Sequence, residues 1–131
     1  VTTPQEVALT DVRKSITFCR KVNMPILGLV ENMSGFVCPG CGREYPIFGQ
    51  GGGARTAERM KLNFLGSLPF DPRVVQAGDS GEPLAAPPDS SPFELALAQL
   101  VDRVRAFCPA EPQAEQIPDP AAGPAVMAAN E

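Results

Sequence analysis

The apolar positions fall into short blocks whose period changes along the chain. After Pro4, Ala8, Val12, Ile16 and Cys19 recur at spacings of four, four and three, the period of one helix face reaching about Val22. Thr3 stands where a cap is wanted, Pro4 suits the first helical position, and Glu6 completes a capping box. Asn23, with Pro25 beyond it, ends that helix. Ile26-Leu27-Gly28-Leu29-Val30 is instead a continuous apolar run, the pattern of a strand covered on both faces in a parallel sheet. Glu31-Asn32-Met33-Ser34 lies at its carboxyl end, and a loop from Gly35 to Gly53 with seven glycines follows. The pattern then predicts a helix over 54–61, a second apolar strand over 63–68 closed by Pro69-Phe70-Asp71-Pro72, and a helical turn over 73–77. Beyond the turn-rich 79–92, Ser91 and Glu94 are placed to cap a last helix over 92–107. Leu95, Leu97, Leu100, Val101 and Val104 supply its apolar face.

Helix, strand, helix, strand, helix is an α/β order and predicts a parallel sheet. Two parallel strands are too few for a stable doubly wound sheet. The expectation is therefore a partial doubly wound parallel sheet lacking its amino-terminal strands, with Val1-Thr2-Thr3 as the end of an element already under way. Residues 1–108 form one domain in this reading. The tail 109–131, rich in Pro, Ala and acids, has too little apolar area to offset chain entropy and is expected to be disordered.

Charge sharpens this division. The 131 residues carry a net charge of −4, yet residues 1–108 hold 11 acidic and 11 basic residues and are neutral. The excess lies in the tail as Glu111, Glu115, Asp119 and Glu131, with no Lys or Arg. Nucleic-acid binding needs clustered Lys and Arg, so that class is excluded. Basic pairs such as Arg13-Lys14 and Arg20-Lys21 fit a solvated helix face. No apolar run is long enough to span a bilayer, and no secretory signal pattern opens the chain; a cytoplasmic location is expected.

Four Cys and no His restrict the candidate chemistry to thiolates and carboxylates. Cys38-Pro39-Gly40-Cys41-Gly42 is the sharpest local signal. Two thiols three residues apart can share one metal centre, and the glycines let backbone amides turn toward the sulfurs. Such a centre wants four ligands and the loop supplies two, so a dimer in which each chain gives two is the simple completion. A structural zinc and a redox dithiol remain open alternatives. Cys19 on a predicted helix and Cys108 at the end of another read as incidental thiols. Asn32 and Asp71 follow the two strands, where open parallel sheets bind ligands. An Asn amide suits a purine edge, although a turn cap and a strand breaker are the plainer roles for the two residues. Gly51-Gly52-Gly53 reads as a hinge. Anion binding by its amides is the alternative, and no Gly-Lys-Ser or Gly-Lys-Thr follows it.

Several segments together resemble a known family. Thr2-Thr3-Pro4-Gln5-Glu6-Val7-Ala8-Leu9, Pro25-Ile26-Leu27-Gly28-Leu29-Val30-Glu31-Asn32-Met33-Ser34 and Cys38-Pro39-Gly40-Cys41 look like the Mrp-type nucleotide-binding iron–sulfur carriers. These belong to the MinD/ParA-like deviant P-loop ATPases. Ile47-Phe48-Gly49, Phe64-Leu65-Gly66-Ser67-Leu68-Pro69, Asp71-Pro72 and Ala77-Gly78-Asp79 continue the likeness to about Phe107. The resemblance implies a P-loop NTPase-like fold and a dimer, with itself or a related paralogue. Two Cys-x-x-C loops would hold a labile [4Fe–4S] cluster for transfer to apo iron–sulfur proteins. Cys38 and Cys41 match its cluster ligands, Asn32 the adenine contact, and Pro69 to Asp71 the loop beside the base. The family's Lys-bearing phosphate loop, magnesium switch and Walker B strand have no counterpart in these residues. ATP and Mg thus belong to the complete family protein, and this chain is not expected to hydrolyse ATP alone. A zinc-stabilised dimerisation or adaptor module without enzymatic activity is the alternative function.

Overall fold

The computed structural model describes residues 1–38, 40–81 and 91–108. The expected disordered tail, 109–131, lies outside them. In chain order the elements are α1 (Glu6–Lys21), β1 (Leu29–Glu31), β2 (Phe36–Val37), β3 (Glu44–Tyr45), α2 (Gly52–Arg59), β4 (Phe64–Ser67), α3 (Pro72–Ser80) and α4 (Pro92–Arg105).

β1 and β4 pair in parallel, with Val30 opposite Gly66 and Glu31 opposite Ser67. Thr2 adds a parallel bridge on the other side of β1: its N–H donates to Val30 O at 2.9 Å and its carbonyl accepts from Asn32 N at 2.7 Å. Three parallel segments therefore end side by side, and Val1-Thr2-Thr3 does enter the sheet. Side chains alternate across it. Val30 joins Leu65, Leu68 and Phe93 in a buried cluster closed by Val74, Leu97, Leu100 and Val104 from α3 and α4. Glu31 turns the opposite way, to the amino end of α2. α2 lies against β1 and β4, and α1 against α2. Helices thus cover both faces, the doubly wound α/β arrangement. Close approach sets one residue here: a Cβ on Gly28 would meet Asn63 O at 2.5 Å.

Four local expectations need correction. α1 begins without a capping box: the cap position is Gln5, Thr3 Oγ1 bonds the Gln5 side chain, and Glu6 pairs with Arg13 at 2.6 Å. The single turn expected over 73–77 is a helix of nine residues, because Asp71 caps it and Pro72 starts it. The glycine-rich loop contains an antiparallel hairpin, β2 with β3, pairing Phe36 with Tyr45 and Val37 with Glu44. In α4, Phe93, Leu97, Leu100 and Val104 face the core while Leu95 and Val101 are exposed. Its Ser91–Glu94 capping box forms as expected. Among the described residues, no helix is long and apolar enough to cross a membrane.

Candidate functional site

The hairpin carries Cys38 and Cys41 at its tip. Cys38 N donates to Arg43 O at 2.9 Å, and Gly42 N donates to Cys38 O at 2.8 Å. Gly42 makes this turn with φ +68°, a conformation that costs other residues strain. The turn folds the backbone around the first sulfur. The amides of Gly40 and then Cys41 point at Cys38 Sγ, and together with the Cys41 thiol they hold the Cys38 thiol below its ordinary value. Cys38 is half-buried and Cys41 exposed. Cys19, against Met24 Sδ at 3.9 Å on α1, and Cys108, beyond α4, sit on other elements. No group of three or more His, Cys, Asp or Glu gathers among the described residues. The hairpin thus presents two thiols outward, supplied with backbone donors, and needs outside ligands to complete a four-ligand centre.

The base of the hairpin is fixed to the sheet. Ser34 N donates to Leu68 O at 2.9 Å and Phe70 N to Gly35 O at 2.7 Å. The ring of Phe70 stands 6.2 Å from that of Phe36 and 6.1 Å from that of Phe48, the latter edge-on. The returning leg meets Glu31, whose side chain has no solvent exposure. Its carboxylate accepts from Ser34 Oγ at 2.6 Å, Gly51 N at 2.8 Å and Gly53 N at 2.5 Å. The hinge expected of Gly51-Gly52-Gly53 is therefore a packed junction. Gly51 caps α2 with φ +76°, and a Cβ on Gly52 would meet Pro4 O at 2.7 Å. The glycine amides do bind an anion, and it is Glu31 of the same chain. Glu31 was not singled out from the sequence. Its signal was a lone carboxylate closing an apolar strand run, matched by a glycine triplet 20 residues on.

The other expected residues lie at the carboxyl ends of the strands. Asn32 is half-buried at the end of β1, and its Oδ1 accepts from Met33 N at 2.9 Å, with Met33 held at φ +58°. Pro69 and Asp71 line a cavity of about 480 Å³ with Phe36, Phe70, Arg73 and Phe93. Asn32 is not among its walls, so the structure puts the three residues on one sheet edge without gathering them into one pocket. Asp71 is already engaged. It accepts from Arg73 N at 3.0 Å and pairs with the Arg73 guanidinium at 2.7 Å. That guanidinium chiefly holds the Asp71 carboxyl below its ordinary value. Sequence reasoning missed Arg73, because only the cap brings it back onto Asp71.

A family model described as NUBPL iron-transfer P-loop NTPase, within ParA, matches residues 1–105. The chain belongs to that family. The same P-loop class is the one its Mrp-like segments resemble. Among solved structures the chain is similar to a nucleotide-binding protein from Archaeoglobus fulgidus, in complex with ADP and with cobalt found. That match has 36% identity and a TM-score of 0.55, covering 63% of this chain and 34% of that one. It is also similar to the cell division ATPase MinD of Pyrococcus furiosus, with 23% identity and a TM-score of 0.60 over 82% of this chain and 41% of that one. The second likeness speaks to the fold. The chain thus spans well under half the length of either neighbour.

Proposed function

We propose that the chain carries an iron–sulfur cluster on Cys38 and Cys41 and passes it to apo iron–sulfur proteins. The cluster is of the [4Fe–4S] type and is shared with the same two residues of a second copy, or with a related paralogue. The observation that carries this reading is the thiol pair at the hairpin tip, with the Gly40 and Cys41 amides aimed at Cys38. Thiolates supported by N–H donors are what a cluster requires. Exposure of the tip leaves room for a second pair of ligands and for a recipient. The family's iron-transfer description supports the same reading.

In this proposal Asn32, Pro69 and Asp71 form the edge that receives an adenine base, Pro69 by apolar contact and Asn32 through its amide. Asp71 acts by holding α3 in place beside that edge. Phosphate and magnesium binding belong to the complete family protein, working in the cytoplasm.

The test is anaerobic reconstitution of the purified chain with iron and sulfide, beside a Cys38→Ala/Cys41→Ala variant. Absorption, metal content and light scattering are measured. A thiolate-dependent cluster at about one per two chains is the expected result. Zinc in place of iron would move the assignment to the adaptor module. Metal content indifferent to the double substitution would remove the site.

A further inference from the structure

Among the described residues Glu31 is the fully buried carboxylate, and no Lys or Arg pairs with it. A lone charge in that position is retained only where strong donors replace water. Its three donors come from both sides of one segment. Ser34 stands where the chain leaves β1 for the hairpin, and Gly51 and Gly53 stand where it returns into α2. The carboxylate therefore ties together the two legs of residues 32–50, which carry both cysteines.

The two legs are not equally held without it. The outgoing leg keeps its bonds from Ser34 N to Leu68 O and from Phe70 N to Gly35 O. The returning leg is paired to the outgoing one through β2 and β3, and it meets the rest of the fold directly through the edge contact of Phe48 with Phe70 and through Glu31. Gly53 is shaped to this carboxylate, since a Cβ there would lie 2.9 Å from Glu31 Cβ.

We propose that Glu31 is the positioning residue of the thiol hairpin: by bonding Ser34, Gly51 and Gly53 at once it fixes how the tip is presented, and so how firmly the tip holds its cargo. This rests on Cys38 and Cys41 being the metal ligands. Asn32, the next residue, is bonded to Thr2 O through its own N–H.

Glu31→Gln keeps the shape and replaces one acceptor oxygen with a donor, leaving either the Gly51 or the Gly53 amide of the returning leg without its acceptor. Ser34→Ala removes one donor and serves as the milder variant should the first not fold. Each full chain is loaded with Co(II), and the sulfur-to-cobalt absorption is followed as a chelator removes the metal. Hydrogen exchange is followed at the Cys38 and Gly42 amides and along α4. Glu31→Gln is expected to release cobalt faster by on the order of tenfold, the scale on which outer support tunes a metal site. Exchange at Cys38 and Gly42 should rise while α4 stays protected, and Ser34→Ala should fall between the two. Ile16→Ala, a buried change on α1 remote from the hairpin, is the control for lost stability. Release and hairpin exchange at wild-type values in both variants would overturn the proposal. So would an equal acceleration in Ile16→Ala. If wild-type protein shows no thiolate-bound cobalt, the metal assignment fails, and hairpin exchange in Glu31→Gln still decides the role of Glu31.

Discussion

At the scale of single residues, the junction of Glu31 with the glycine run decides more than any exposed group. Gly53→Ala puts a methyl 2.9 Å from Glu31 Cβ and 3.1 Å from its Oε2. Overpacking of this kind costs about 1–3 kcal/mol, and urea unfolding should show it. Gly42→Ala, whose added Cβ meets nothing within 4 Å, should lose only the strain of a positive φ. Asp71 gives a pH test. Its pKa in the fold lies below the ordinary 3.8, so the Arg73 pairing stabilises the protein above that value and is lost as pH falls through the folded pKa. Asn caps helices about as well as Asp. Asp71→Asn therefore removes the ion pair alone, and with Arg73 half exposed the loss at neutral pH is below about 1 kcal/mol. Stability curves of the two proteins should converge on acidification; a gap that persists at low pH would assign the loss to the cap. The thiol pair was legible in the sequence from its spacing. Glu31 was not, because its partners are backbone amides that no side-chain pattern announces.

At the scale of elements, legibility followed length and period. α1, α4 and both parallel strands were visible because each repeats or concentrates apolar residues over several positions. The hairpin was not: each of its strands has two residues, too few to show alternation. α3 was underestimated because its start is set by a cap and a proline, and it has no fully buried residue, Val74 alone meeting the core cluster half-buried. α4 offers the cleanest element-level prediction. Its capping box is reciprocal, Ser91 N donating to Glu94 Oε2 at 2.7 Å and Glu94 N to Ser91 Oγ at 3.4 Å. Ser91→Ala should cost about 1 kcal/mol, read as a lowered urea midpoint at unchanged slope. The frayed first turn holds Phe93 in the core beside Val30. Near-ultraviolet circular dichroism should then weaken with the same midpoint, because the aromatic cluster and the helix start are one unit.

At the scale of the whole molecule, the fold class followed from the order of elements, whereas the third parallel segment rests on the bridge of Thr2 alone. The outer side of β4 is met by Arg103, whose Nη1 donates to Leu65 O at 2.8 Å, a charged cover of the kind that discourages edge pairing. In the proposed reading, what these residues hold of the P-loop class is the cargo hairpin and the base edge. The 131 residues contain no Gly-Lys pair. A P-loop needs its glycine-rich backbone and that Lys to cradle the phosphates, and a magnesium ion to carry the developing charge. Hydrolysis of Mg–ATP by the repurified chain should therefore stay at the buffer background. The same reasoning reaches the cargo. If nucleotide controls the hairpin through its phosphates, the reconstituted chain should release its cluster to a chelator equally fast with and without Mg–ATP. Adenosine should match ATP, since the base edge is all that either can engage. A severalfold effect of ATP that adenosine lacks would mean that residues between Val1 and Cys108 read the phosphates after all. The first place to look would then be the amides of Gly51 and Gly53, with Glu31 displaced from them.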